Sequence, residues 1–227
     1  MPLNQTELFA DFEGDRWFGR NQKALETFDP EADLPLRVME SYDVSPRSVL
    51  EIGAANGFRL AAIHRRYGAR AVGVELSKLA LCDGKTKFPD VDFVCGSAHA
   101  VPLHEIFDVV IVNFVLHWVD RSLLMRSVAE IDRLISDGGF LIIGDFYPSN
   151  FIKVPYHHLA DEPVHTYKQN YAGLFLASGL YHSVCLLTAS HSSKSQNADA
   201  GERDRTGVWL LKKNLTAHYM ADGADGR

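Results

Sequence analysis

Residues 48–57, Ser-Val-Leu-Glu-Ile-Gly-Ala-Ala-Asn-Gly, decide how this chain is read. An apolar run carrying one acid, Glu51, stops at Gly53; small residues lead to Gly57, and a helical pattern opens at Phe58. That is the pattern of a buried parallel strand feeding a ligand-binding loop ahead of a helix. A second apolar strand, Ala71-Val72-Gly73-Val74, then closes on Glu75. In open α/β sheets, an acid at the end of the second strand is placed to accept hydrogen bonds from both hydroxyls of a ribose.

Glycine spacing discriminates between ribose-bearing cofactors. A dinucleotide site wants G-x-G-x-x-G with a small third residue against the helix. Counted from Gly53, that third position is Phe58, which would obstruct the approach of helix to strand. Glycine falls at Gly57 instead, giving Glu51-x-Gly53-x-Ala55-x-Gly57. This arrangement resembles motif I, E/D-x-G-x-G-x-G, of the class I S-adenosylmethionine (SAM) dependent methyltransferases, with Ala55 at the usual middle glycine. SAM has no diphosphate, so one methyl group there is tolerable. The resemblance implies that Gly53, Ala54, Ala55 and Gly57 lie against the cofactor, with Glu75 and the following Leu76 at its ribose. Glu51 would orient the loop or meet the methionine amino group through water; backbone amides of the turn satisfying a buried acid is the equal alternative.

Outward from this core the pattern alternates strand and helix, which implies a parallel sheet with right-handed crossovers. The helix from Phe58 should end at Gly68, with Arg65 and Arg66 in its last turn. Ser77 is read as the cap of the next helix. Strands are expected at 91–95, at 107–112 and at 140–143, the second nearly all apolar, as a central strand should be. Asp120 is read as capping a helix stopped by Gly138-Gly139. Residues 147–167 show little helical or strand pattern. A helix near 169–178, a strand near 181–188 and a last strand at 207–211 follow. Two successive strands imply an antiparallel edge. The expected fold is therefore α/β, a doubly wound, mostly parallel seven-stranded sheet in a three-layer sandwich. The family resemblance implies strand seven inserted antiparallel between five and six. Residues 1–216 form one expected domain, with a helical cap over 1–45, a substrate lid over 147–168 and a tail from 217. The stretch 190–204 is expected to be a mobile loop.

The chain has 227 residues, 46% of them hydrophobic, and a formal net charge of −6. That suits a single ordinary core and gives no bulk attraction to nucleic acid or anionic lipid. Three scattered cysteines, Cys82, Cys95 and Cys185, fit a reducing cytosol. There is no signal-peptide pattern at Met1 and no apolar run of membrane-spanning length. The expectation is a cytoplasmic protein with no nucleic-acid or membrane partner; a homodimer stays open.

Further segments carry the resemblance. Gly96-Ser97-Ala98 with Val101-Pro102-Leu103 resembles the family's G-D-A…L-P-F segment, which implies adenine contacts from Ser97 and Ala98. Asn113-Phe114-Val115-Leu116-His117-Trp118-Val119 resembles the N-x-x-L-[HQ]-W-V segment of trans-aconitate and malonyl-carrier methyltransferases. It implies Asn113 and Phe114 beside the sulfonium and His117 facing cofactor or acceptor; packing at a helix start is the alternative for His117-Trp118. Gly14-Asp15-Arg16-Trp17-Phe18-Gly19-Arg20-Asn21 is similar to a G-[DE]-x-Y-x-x-R-N segment of sugar-pathway methylases. It implies that Trp17, Arg20 and Asn21 cap the cofactor, unless this is a solvated helix with an aromatic anchor.

The resemblance implies methyl transfer from SAM, with S-adenosylhomocysteine (SAH) as product. Phe-Val-Leu after Asn113 argues against methylation of flipped bases. Asp108 stands at the wrong end of its strand for a metal and Asp145 stands alone, so no metal is expected. A protonated oxygen or nitrogen acceptor needs a base, and His117, His157 and His158 fall near the carboxyl edge of the sheet. The lid carries Lys153 and Lys168 among Tyr147 and Tyr156, which suggests a small anionic acceptor: a nucleotide-linked sugar, a sugar or a carboxylic acid. The alternatives are a non-catalytic SAM-binding module and, disfavoured by Phe58, an NAD(P)-dependent oxidoreductase.

Overall fold

The computed structural model describes residues 5–159, 161–193, 200–216 and 219. Seven strands form one sheet in the order β3-β2-β1-β4-β5-β9-β8. They are β1 (Ser48–Ile52), β2 (Arg70–Glu75), β3 (Val91–Cys95), β4 (Phe107–Asn113), β5 (Ile135–Phe146), β8 (Tyr181–Ser190) and β9 (Arg205–Lys213). The first five pair in parallel; β9 runs antiparallel to both β5 and β8. The expected doubly wound sheet is present, including the last strand inserted antiparallel beside the fifth.

Strand order reverses between β1 and β4, so the loops after them splay apart and leave a crevice at their carboxyl ends. Central strands read as continuous apolar runs because both faces are covered. Val49, Leu50, Val110 and Ile111 are fully buried. On one face lie α3 (Leu34–Ser41) and α4 (Phe58–Tyr67), packed through Leu36, Met39, Leu60 and Ile63. On the other lie α6 (Leu124–Arg133) and α7 (Ala172–Leu176), packed through Ile131, Ala172 and Phe175. Truncating a buried leucine of this kind, such as Leu50→Ala, costs about 2–5 kcal/mol.

The local signals near motif I act as read. Gly68 ends α4 in the left-handed region, at φ 66°, and the Ser77 hydroxyl accepts from the Ala80 amide at the start of α5 (Lys78–Lys87). Two others act differently. Leu123, not Asp120, precedes α6, and Asp120 accepts the backbone amide of Gln5. The helix ends at Arg133, before Gly138, because β5 starts at Ile135.

The N-terminal cap is α1 (Gln5–Leu8), a π turn over Phe9–Glu13, and α2 (Gly14–Glu26). Asp15 anchors it: its carboxylate accepts from the Ser77 hydroxyl and the Leu79 amide at the start of α5. The stretch 147–167 is not featureless. β6 (Ile152–Pro155) and β7 (His165–Lys168) pair as an antiparallel ribbon. The Gln5 side chain ties this ribbon to the cap and the sheet, donating to the carbonyls of Trp118 and His165 and accepting the His165 amide. Of the expected mobile loop, residues 194–199 lie outside the described residues, and Ser190 and Asp204 are joined by a 2.5 Å hydrogen bond. The tail from 217 lies outside them too, apart from Tyr219. Among the described residues no helix is long and apolar enough to cross a membrane.

Candidate active site

A cavity of about 1000 Å³ opens at the carboxyl ends of β1, β2 and β4, roofed by the cap and the β6–β7 ribbon. Its volume is at the upper end of what one small ligand occupies, leaving room for a cofactor and an acceptor together.

The cofactor end grows from the motif I turn. Gly53 and Gly57 have φ of 75° and 78°, and Ala55 adopts 48° without the freedom of glycine. A Cβ on Gly53 would stand 2.3 Å from Val115 Cγ2, and one on Gly57 2.5 Å from the Phe93 ring, so both glycines are set by packing. Glu75 holds the turn: it accepts the Ala55 amide on one oxygen and the Leu76 and Ser77 amides on the other. Burial pushes its carboxyl pKa up, while the three amides pull it down. Beside it, Arg59 on the first turn of α4 makes a two-pronged contact with Asp33 and bonds Glu51 Oε1. Glu51 Oε2 is buried without a partner on the cavity wall. Burial raises Glu51 to about 7 against the pull of Arg59. A buried carboxylate oxygen lacking a donor fits an ammonium group. Ser97, Ala98 and His99 line the same cavity, with the Ser97 hydroxyl 3.0 Å from His99 Nδ1.

The other end holds a histidine and a carboxylate. His117, on the turn after β4, is 2% exposed and lines the cavity. Its Nδ1 lies 2.9 Å from Asp145 Oδ1, and its backbone amide also reaches Asp145. Asp145 further accepts the Phe146 amide at 2.7 Å. An ionised carboxylate on Nδ1 selects the tautomer with hydrogen there, leaving Nε2 as an acceptor. Asn113, at the end of β4, lines the cavity, and its Oδ1 is buried without a partner. A Cβ on Gly144 would sit 2.1 Å from that oxygen, so glycine on β5 makes space for the amide.

Residues 50–143 match the family described as "Methyltransferase domain". Over that stretch, less than half of its length, the chain is similar to a methyltransferase domain. Phthiotriol/phenolphthiotriol dimycocerosates methyltransferase 1 of Mycobacterium ulcerans is 28% identical over 196 residues, covering 84% of this chain and 64% of that protein. Malonyl-[acyl-carrier protein] O-methyltransferase of Halorhodospira halophila is 30% identical over 122 residues, 52% of this chain and 41% of that one. This chain thus spans less than two thirds of these curated relatives. Among solved structures, Burkholderia thailandensis 1,6-didemethyltoxoflavin-N1-methyltransferase, with 1,6-didemethyltoxoflavin and SAH bound, superposes at a TM-score of 0.69. It is 18% identical and matches over 91% of this chain and 87% of its own.

The cavity gathers most of the residues expected from sequence. Trp17, Asn21, Glu51, Gly53, Ala55, Glu75, Leu76, Ser97, Ala98, Asn113, Phe114, His117, Tyr156, His157, His158 and Lys168 all line it. Five expected residues do not. Ala54 and Gly57 sit behind the turn, packed on β2 and β3. Arg20 turns away to pair with Glu13 and the Tyr156 hydroxyl. Tyr147 packs edge-on against Trp209 beside a separate small crevice. Lys153 is exposed on β6, where alternation sends Val154 inward instead. Sequence reasoning missed Arg59, Asp33 and His191. It read Asp145 as standing alone, because its partner is 28 residues away and meets it only through strand register.

Proposed function

We propose that this methyltransferase transfers the methyl group of SAM to a hydroxyl of a small molecule or lipid. The observation that carries the reading is the buried His117–Asp145 pair, opening on the cavity beside Asn113. The Glu75 carboxylate would take the ribose through Oε2, which accepts only the Ala55 amide and so retains acceptor capacity. Glu51 Oε2 would take the methionine ammonium, and Ser97 and Ala98 the adenine. When bound, the cofactor supplies an electrophilic methyl whose bond to sulfur breaks, its electron pair staying on sulfur, as the acceptor oxygen forms the new carbon–oxygen bond. The protein's part is to align the partners, exclude water and take the hydroxyl proton on His117 Nε2, with Asp145 stabilising the imidazolium. His157 and His158 stand at the mouth as the other candidate bases. The anionic-acceptor reading now rests on Lys168, the lid lysine that lines the cavity.

Titration with SAH and with NADH tests the cofactor; SAH alone should bind. Incubation with SAM carrying a labelled methyl and pooled acceptors should give hydroxyl-linked mass shifts. SAH binding with no transfer to any pool would leave a non-catalytic binding module.

A further inference from the structure

The acceptor end of the cavity is built of rings drawn from three strand ends. Phe114 follows β4, Phe146 ends β5 and His191 follows β8; all three line the cavity. The Phe114 and Phe146 centroids are 5.6 Å apart at 86°, and His191 lies 5.4 Å from Phe114 and 4.9 Å from Phe146. His117 joins the group, 5.2 Å from Phe146 and edge-on to it.

Two features set this cluster apart from core packing. Phe114 has a φ of 56°, a left-handed conformation that a bulky side chain adopts only under strain. The backbone holds the ring at the cavity wall at that cost, although glycine would close the strand without it. Lys168, from β7, lies with its Nζ 3.8 Å from the Phe146 ring centroid and donates to the Arg203 carbonyl. An ammonium has three donors, so it can still donate toward the cavity. Its pKa is lowered, chiefly by burial, so its charge there is incompletely solvated and suited to a negatively polarised partner.

We infer that the pocket formed by Phe114, Phe146, His191 and Lys168 takes a planar acceptor bearing an acidic hydroxyl, a phenol or enol. The ring lies against the aromatic side chains, where edge and face contacts favour a flat π-system over a saturated one. The oxygen lies between His117 and Lys168, the first to remove the proton and the second to stabilise the oxygen's negative charge. This rests on the proposed methyl transfer and deepens it, because a sugar or simple aliphatic alcohol offers no flat face.

The test uses the full chain saturated with SAH, titrated calorimetrically with 2-naphthol and with its saturated analogue, decahydro-2-naphthol. 2-Naphthol should bind about tenfold more tightly. Lys168→Met should weaken 2-naphthol binding about tenfold and His191→Leu about threefold, both leaving SAH affinity unchanged. Phe114→Gly removes the ring while relieving the left-handed strain, so it should stay folded and lose the preference for the flat ligand. Equal affinity for the two naphthols, or no binding of either to the SAH-bound protein, overturns the planar-acceptor inference and leaves methyl transfer standing. Failure of SAH itself to bind removes the cofactor reading, and this inference with it.

Discussion

The two ends of the cavity are built on different principles. At the cofactor end, the turn between β1 and α4 and the turn between β2 and α5 are held by groups adjacent in sequence or on neighbouring strands: Glu75 on the amides of Ala55, Leu76 and Ser77, and Arg59 on Glu51. At the acceptor end, His117, Asp145, Phe146, Lys168 and His191 come from four separate stretches of chain, closed over by the N-terminal cap through Gln5. The first end is a local motif stiffened by backbone hydrogen bonds. The second exists only after the sheet has assembled, so its residues can change without disturbing the cofactor turn. In the proposed function, methyl donor and methyl acceptor thus fall to separable parts of the fold.

The sharpest way to break this comparison is to remove one group from each end. His117→Ala should lower kcat by about 10²–10⁴-fold, as loss of a general base does, with SAH affinity unchanged. Full kcat in that variant would leave His117 a packing residue and move attention to His157 and His158. Glu75→Ala should act in the opposite way, weakening SAH binding by about 2–3 kcal/mol, a hundredfold or so. Because Glu75 also accepts three backbone amides, its Tm should fall as well. Calorimetry showing unaltered affinity would separate the carboxylate from the ribose.

Smaller effects sharpen the account of the cofactor turn. Ala55 sits at φ 48°, so Ala55→Gly should stabilise the protein by about 1 kcal/mol, read as a rise in Tm, and keep SAH binding. Ala55→Val should lower both Tm and affinity; a folded valine variant with full affinity would place the cofactor elsewhere. A separate signal is the pH dependence of Glu51, whose pKa burial raises to about 7 from 4.5. A raised carboxyl pKa means the folded state holds its proton longer than the unfolded chain. The associated stability is present below about pH 4.5 and is lost as pH rises to about 7. Wild type should therefore lose stability relative to Glu51→Gln across that window, with the difference levelling above it. Parallel denaturation curves at pH 5 to 8 check the sign.

The parts of the site legible in sequence are those written in short-range code. The acid and glycines of 51–57, the acid closing β2, the Ser77 cap and the apolar run of β4 each act over a few residues, and the structure uses them near where they stand. Arg59 was within reach, since it occupies the helix turn directly after the glycine loop, but its pairing with Asp33 depends on where α3 packs. In the lid, composition shows that the segment is basic and aromatic, not which way each side chain points. Once 152–155 pairs with 165–168, alternation turns Lys153 outward and Val154 inward. A short motif places Arg20 at the cofactor, yet the buried Glu13 carboxylate, seven residues before it at the end of the π turn, claims its charge.

The sequence by itself therefore determined the sheet, its winding and the turn for a ribose-bearing cofactor, because strand burial and glycine φ values are properties of short stretches. Only the tertiary structure decided that Asp145 partners His117, that Arg20, Tyr147 and Lys153 stand apart from the cavity, and that Phe114, Phe146 and His191 meet beneath Lys168. Those contacts depend on the register of β4 with β5, on the antiparallel entry of β9 beside β8, and on the pairing of β6 with β7. Register is set by the summed burial of whole strands, and a shift of one residue would turn the strand side chains among these, Asp145, Phe146, Lys153 and Lys168, to the opposite face.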